Sequence, residues 1–360
     1  MKILHLDCED LQRPDGGGQA LRTFEINRRL IQKGHQITVV TMNYPGAIPQ
    51  TKQGIYYERV GLQKFPFNFI SYLLAIPSVI REHEFDLLIE DNIPPVTFGR
   101  SPMYTKKPVI AQMQYFQAKF ASQKYKIPFY LAEEHWIKFY KNFITLTKSA
   151  AQEVRTRCPQ ARIQTIPNGL NAIPPREHQE KNYLLYLGRL DFRTKGLDFL
   201  MNSLAIVQKK FPNISLVIAG RGDGEGEIRK LMIQNKIKNV VFLGHVQGTA
   251  KEKILSECLM LLQPSRMEVF PFTFLEAASY GKPVVCFNIK NLRETIEEGK
   301  IGLMAPAFDE EKYAKLVIQL IEDKKTRHEL GANAYHWAKQ HLWDNIAQDQ
   351  ERFYLESLHG

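Results

Sequence analysis

Apolar runs of strand length alternate with amphipathic stretches through most of the chain. KILHL (2–6) is a strand candidate that leads into DGGGQALRTFEINRRLIQKG, a glycine-rich loop running into a helix. HQITVVTM (35–42), DLLIE (86–90), PVIAQ (108–112) and FITLT (143–147) read as further buried strands with helical stretches between them. Such alternation predicts a parallel sheet covered by helices on both faces. The stretch IQTIPNGLNAIPPREHQEKN (163–182) carries Pro167, Pro174, Pro175 and an Asn168-Gly169 turn signal, and reads as an interdomain linker. The alternation then restarts with YLLYLG (183–188), helix 195–211, ISLVIAG (214–220), helix 226–235, NVVFLG (239–244), helix 248–257, CLMLLQP (258–264), helix 271–280 and PVVCFN (283–288). After residue 308 the pattern is almost wholly helical. Two similar α/β domains facing each other would leave a cleft, with ligands at the carboxyl ends of the strands.

A length of 360 residues agrees with about two domains. Hydrophobic content of 44% and charged content of 24% are those of an ordinary soluble globular protein. The opening MKILHLDCED has acids too early for a signal peptide. The most apolar segment, 65–80, is interrupted by Asn68, Ser71 and Pro77 and falls short of the roughly 20 residues a membrane span needs, so a buried or partly buried helix is expected. Cys8, Cys158, Cys258 and Cys286 stand far apart, which indicates neither a zinc site nor a disulfide framework and fits a reducing cytoplasm.

The net charge of +10 is uneven: residues 100–162 hold 12 basic and 3 acidic side chains. A positive field of that density attracts phosphorylated substrates, acidic lipid headgroups or nucleic acid, and a solvated face with no partner remains the alternative. No nucleic-acid motif accompanies the charge, so no nucleic acid is expected. Within 115–148 lysines are mixed with Phe, Tyr and Trp, a composition suited to peripheral contact with an anionic membrane surface.

Candidate chemistry concentrates in MEVFPFTFLEAASYGKP (267–283), where Glu268 and Glu276 bracket an apolar stretch. Gly281 and Pro283 stop a helix, and Pro271 suits its first position, which makes Phe270 the N-cap. Phenylalanine offers no capping oxygen, so the first N–H groups and the helix dipole would be available to an anion such as a diphosphate. Ionised carboxylates only accept hydrogen bonds and would suit sugar or ribose hydroxyls. On the residues alone, a surface loop charge and the wet edge of an amphipathic helix explain the pair equally well. Arg189 and Lys195, in the loop after the first strand of the second domain, add two cations on the same side, the makings of a diphosphate clamp.

The ordered set G-R-L-D-x-x-x-K-G, VVFLGHV, E-x7-E and A-x-x-x-G-K-P-V-V resembles the family-4 retaining glycosyltransferases of GT-B fold. The likeness is strong over 183–305 and moderate in 15–41 and in TLTKSAAQEV…IPNGLN. It implies an α/β chain of two Rossmann-like domains facing across a cleft: an acceptor-binding domain over 1–170, a nucleotide-sugar-binding domain over 171–342, and a helix over 343–360 that crosses back to the first. The implied activity is transfer of a sugar, with retention and without a metal, from a nucleoside-diphosphate sugar to a glycan, lipid-linked or small-molecule acceptor. No cofactor is implied, and no D-x-D spacing is present to hold a metal. Arg189 and Lys195 resemble the diphosphate-binding, leaving-group-stabilising pair, Glu276 the ribose acceptor and Glu268 the contact to the transferred sugar. Thr273 and Phe272 would offer backbone N–H groups to the donor. His245 and Val246 would border the base. Gly16, Gly17 and Gly18 would close over the diphosphate from the other domain, where a backbone without side chains can come close.

Three departures from the family pattern stand out. Pro271 replaces a glycine and loses one N–H. Gln112 and Gln114 stand where many relatives have a histidine, and glutamine is no base at neutral pH. NIKNLRET replaces a glycine pair, which brings Lys290 and Asn291 near the sugar. His35 is expected to be structural. The rival functions are an epimerase or phosphorylase of the same fold, which would lack acceptor-dependent transfer, and a non-catalytic nucleotide-sugar-binding protein. A dinucleotide-dependent oxidoreductase is disfavoured because GRGDGEG (220–226) lacks the G-x-G-x-x-G spacing.

Overall fold

The structure is a computed structural model that describes residues 1–13, 16–64, 67–91, 100–114, 116, 118–175 and 179–359. Parts of the sequence readings at 65–80, 115–148 and 163–182, and Asp15 of the glycine-rich loop, lie outside the described residues. The chain divides into two compact units, Met1–Asn168 with Trp343–Gly360, and Gly169–Leu342.

Unit 1 contains β1 (Lys2–Leu6), α1 (Gly18–Gln32), β2 (Gln36–Met42), β3 (Gln50–Lys52), β4 (Ile55–Val60), α2 (Phe67–Glu82), β5 (Leu87–Asp91), β6 (Val109–Met113), α3 (Ala118–Tyr125), α4 (Phe129–Trp136), β7 (Asn142–Thr145), α5 (Lys148–Arg157) and β8 (Arg162–Thr165). The sheet order is β3-β4-β2-β1-β5-β6-β7-β8. Among the described strands of this sheet, only the β3–β4 pairing is antiparallel. Five of these strands coincide with the apolar runs of the sequence; β3, β4 and β8 do not, being short or towards the sheet's edges, where burial is incomplete and the apolar signal is weak. Helix α2 is half-buried: Tyr72, Ile76, Val79 and Ile80 face the core, while Phe67, Ile70 and Leu74 are exposed.

Unit 2 contains β9 (Tyr183–Leu187), α6 (Phe192–Lys195), α7 (Leu197–Lys210), β10 (Ser215–Ala219), α8 (Glu225–Gln234), β11 (Val240–Gly244), α9 (Gly248–Glu257), β12 (Leu261–Gln263), α10 (Phe272–Ser279), β13 (Val284–Phe287), α11 (Lys290–Gly299), β14 (Gly302–Ala305), α12 (Glu310–Glu322) and α13 (Lys324–Lys339). Its parallel sheet has the order β11-β10-β9-β12-β13-β14. Both faces of its central strands are buried, and the period-2 alternation of a strand divides its side chains between two cores. Leu184, Tyr186, Val285 and Phe287 join one apolar cluster. Leu185, Leu187, Val284 and Cys286 join the other. This explains why β9 and β13 read as continuous apolar runs.

The last helix, α14 (Trp343–Leu358), packs on α1 in unit 1. Arg22 is fully buried, and its guanidinium donates to the Pro167 carbonyl at 2.6 Å and to Gln350 Oε1 at 2.7 Å. Gln350 donates in turn to Gln112 Oε1 at 3.1 Å. His35 pairs with Glu351 at 2.7 Å, a structural role. Burial lowers the Arg22 pKa to about 10, so the group stays charged at neutral pH. Arg22→Met is expected to strand the Pro167 and Gln350 oxygens and to cost unit 1 about 2 kcal/mol. A lowered urea-unfolding midpoint would register the loss, and an unchanged midpoint would show that the network contributes nothing.

Candidate active site

The chain of unit 2 runs outward from β9 through β10 to β11, then returns to place β12 on the other side of β9. Strands β9 and β12 therefore flank a topological switch point, and ligands in open parallel sheets bind at the carboxyl ends of such strands. Two loops rise from them, 188–196 and 264–271.

The first loop is held from inside. The buried Tyr186 hydroxyl donates to the Arg189 carbonyl at 2.7 Å. Burial, reinforced by Glu268 and Asp191, pushes that phenol upward and keeps it a neutral donor. Asp191 caps α6, accepting from the Arg193 N–H at 2.8 Å and the Thr194 hydroxyl at 2.6 Å. Burial works against its ionisation, but these bonds and Arg189 hold its carboxyl below the usual value. The helix expected over 195–211 is α7, Leu197–Lys210; it is preceded by the short α6, which ends at Lys195, and Gly196, at φ 64°, turns the chain from one into the other. A Cβ on Gly196 would stand 2.0 Å from the Pro264 carbonyl oxygen, so glycine is what lets the two loops touch.

The second loop is tied to the first. The Arg266 N–H donates to the Thr194 carbonyl at 2.8 Å, and its guanidinium bonds Asp198 Oδ1 at 2.9 Å and the Phe192 carbonyl at 2.8 Å. These ties bring Lys195 Nζ to 2.5 Å from Glu268 Oε1, across 73 residues of sequence. Both side chains are mostly enclosed, at 16% and 10% exposure. Asn291 Nδ2 braces the Glu268 carbonyl at 3.0 Å. Arg189 is exposed.

Helix α10 begins one residue later than expected. Pro271 is extended (φ −69°, ψ 130°) and is itself the N-cap, with no side-chain capping bond. Phe270 is drawn out of the helix by packing against Trp337 and His341, with ring centroids 5.8 and 5.7 Å away. Phe272 and Thr273 form the opening turn, at the positive end of the helix dipole. Glu276, one turn further on, pairs with Lys251 Nζ at 2.8 Å.

The structure thus gathers Arg189, Lys195, Glu268, Phe272, Thr273 and Glu276 onto the two loops and the helix that follow β9 and β12. Val246 follows β11 at the sheet's edge and is half-buried against the second core cluster. The neighbouring His245 bonds Gln247 at 2.7 Å. Gly17 and Gly18 belong to unit 1, at the N-terminus of α1, where the Gly17 N–H donates to Glu9 Oε2 at 3.1 Å. The expected two-cation clamp is altered in one respect: the Lys195 charge is shared with Glu268. Tyr186, Gln263, Ser265 and Lys251 complete the surroundings of these groups, and none of them stands out in the sequence as site chemistry. The one signal was a polar residue, Gln263, closing the otherwise apolar run CLMLLQ.

Two family models match consecutive stretches of the chain: Glycosyltransferase Family 4 over residues 16–172 and Glycosyl transferases group 1 over residues 172–337. An uncharacterized glycosyltransferase of Methanocaldococcus jannaschii is 23% identical over 94% of both chains. The phosphatidyl-myo-inositol mannosyltransferase of Mycobacterium leprae is 27% identical over 48% of this chain and 46% of its own length. Among solved structures, sucrose-phosphate synthase from Thermosynechococcus elongatus superposes with a TM-score of 0.81 at 17% identity, covering 99% of this chain and 98% of that one. Anabaena HepE in complex with UDP-glucose gives a TM-score of 0.73 at 17% identity, with 98% of each chain covered. The fold is GT-B, built of two Rossmann-like α/β domains. The chain belongs to the family-4-type glycosyltransferases and is an enzyme of that class.

Proposed function

We propose that the enzyme transfers a sugar, with retention and without a metal ion, from a nucleoside-diphosphate sugar held by unit 2 to a hydroxyl of a glycan, lipid-linked or small-molecule acceptor. One observation carries this reading: the enclosed Lys195–Glu268 pair lies at the β9/β12 switch point, on the loops that also carry the exposed Arg189 and lead into the N-terminus of α10. A nucleotide-sugar donor is further supported by the UDP and UDP-glucose in the HepE complexes.

Cleavage of the bond between the anomeric carbon and the phosphate oxygen builds positive charge on the sugar ring and negative charge on the diphosphate. Glu268 faces the first charge. The exposed Arg189, the α10 dipole and the Thr273 N–H face the second. Lys195, touching Glu268, lies where the two charges separate. The acceptor oxygen bonds to the anomeric carbon on the face that the phosphate leaves, and the acceptor proton passes to the departing phosphate oxygen. Glu276 accepts from the ribose hydroxyls with the oxygen that Lys251 leaves open.

A thermal-shift panel of UDP, GDP and ADP with their hexose esters tests the donor site, since a ligand stabilises the fold that binds it. One family of nucleotides is expected to raise the midpoint by several degrees, and transfer with that donor is expected to continue in EDTA. A flat panel would remove the reading, and loss of activity on chelation would remove metal independence.

The same proposal includes peripheral contact of unit 1 with an anionic membrane. No helix among the described residues is long and apolar enough to cross a bilayer. Support comes from exposed apolar side chains beside lysines: Tyr125, Ile127, Tyr130 and Leu131 with Lys124 and Lys126. On α2, Phe67, Ile70 and Leu74 share one helical face, and Leu74 is 75% exposed. The chain is expected to sediment with phosphatidylserine vesicles in low salt and to leave them as screening rises. No sedimentation at low salt would dismiss this part.

A further inference from the structure

The two oxygens of Glu268 are not equivalent. Oε1 accepts from Lys195 Nζ at 2.5 Å, Gln263 Nε2 at 2.9 Å and the Ser265 hydroxyl at 3.0 Å. No hydrogen bond from a described residue reaches Oε2. A carboxylate oxygen has about two lone-pair sites, so Oε1 is saturated by the protein and has no capacity left for a ligand.

Gln263 and Ser265, at 1% and 0% exposure, form a closed triangle with that oxygen, because Gln263 Nε2 also donates to Ser265 Oγ at 2.8 Å. The orientation of the Gln263 amide is fixed by its neighbours. Its N–H face must meet the carboxylate, which only accepts, and its Oε1 receives the Thr273 hydroxyl at 3.5 Å. Thr273 lies in the first turn of α10, so a chain of side chains runs from the diphosphate end of the site to Glu268.

From this geometry we infer that Gln263 and Ser265 are positioning residues for sugar recognition: with Lys195 they hold Glu268 Oε1 within the protein and present Oε2 alone to the hydroxyls of the transferred sugar. The inference rests on the donor-site reading above and deepens it. A carboxylate free to rotate would spread its affinity over several hydroxyl geometries. Fixed at one oxygen, it discriminates by the direction from which a hydroxyl approaches.

The test compares two affinities in each variant: that for the nucleoside diphosphate most stabilising in the panel, and that for its hexose ester. Ser265→Ala and Gln263→Met leave the phosphate-binding groups in place. Each is expected to weaken the sugar nucleotide about five- to tenfold, with the nucleoside diphosphate changed by less than about twofold. In a Glu268→Ala background, adding Ser265→Ala is expected to change the ratio of the two affinities by less than about twofold, because the effect is transmitted through Glu268. Parallel loss of both affinities would show a merely structural role. An unchanged ratio in Ser265→Ala, or full additivity with Glu268→Ala, would overturn the inference outright. Should the wild-type chain bind no nucleoside diphosphate, the donor-site reading fails and the inference fails with it. Intact nucleotide binding with an insensitive ratio overturns the inference alone.

Discussion

Arg189→Ala is expected to lower kcat/KM by about 2–4 kcal/mol in the transition state, roughly 30- to 1,000-fold, the usual scale for one preorganised charge-stabilising group. Its side chain is exposed, so the loss should come with no change in thermal midpoint and a weaker hold on the nucleoside diphosphate. Lys195→Ala is expected to do more harm, because it also leaves Glu268, 10% exposed, without its counter-charge. The two groups act as one unit, so the Lys195→Ala/Glu268→Ala double variant should be little worse than the poorer single variant. Steady-state transfer assays on Arg189→Ala, Lys195→Ala, Glu268→Ala and the double variant check this. Wild-type rates in Arg189→Ala and Lys195→Ala would dismiss the charge-stabilisation model, and simple additivity in the double variant would dismiss the coupling.

Gly196→Ala is expected to damage stability and activity together. The residue sits at φ 64°, a conformation that costs an L side chain about 1–2 kcal/mol. Its new Cβ would lie 2.0 Å from the Pro264 carbonyl oxygen, so the loop after β12 would have to move. That loop carries Ser265 and Glu268, while the residue before Gly196 is Lys195. A displacement there lengthens the ion pair and unsettles the ties through Arg266. The expected result is a loss of about 2–4 kcal/mol in unfolding free energy, with transfer reduced at least about tenfold. Gly226→Ala is the control: that glycine lies within α8 at no positive φ and has open space where the Cβ would go. It should be neutral or stabilising by up to about 1 kcal/mol. Equal behaviour of the two variants would show that close approach at Gly196 is unimportant.

Much of the fold was legible because both faces of each sheet's central strands are buried. Runs such as YLLYL and PVVC announce themselves without alternation, and the loops between them fall at the carboxyl edge by topology alone. Strand β4 was less visible, since IYYERV mixes exposed Tyr56 and half-buried charges with its buried positions. Strand β14 is four residues long and only Ala305 is buried.

The candidate site was legible where spacing encodes it. Eight positions separate Glu268 from Glu276, and a helix begins between them. What spacing does not encode is which groups meet. Lys195 and Glu268 are brought into contact by the Gly196 turn, the last position of G-R-L-D-x-x-x-K-G, and by Arg266, which no motif marks. Gln263 and Ser265 read as polar residues at the end of an apolar run, and only the structure shows them buried against Glu268. Within unit 1, α14 is tied to α1 by Arg22 reaching Gln350, a partner 328 positions away. Composition and charge counts register that arginine merely as one more cation.

The central claim is that unit 2 holds a sugar nucleotide at the β9/β12 switch point. A crystal structure of the chain saturated with its sugar nucleotide tests it most directly. The expected result has diphosphate oxygens within hydrogen-bond reach of Arg189 and the Thr273 N–H, ribose hydroxyls on Glu276, and a sugar hydroxyl on Glu268 Oε2 while Lys195, Gln263 and Ser265 keep Oε1. A nucleotide bound elsewhere, or a diphosphate that leaves Arg189 and the first turn of α10 untouched, would contradict it.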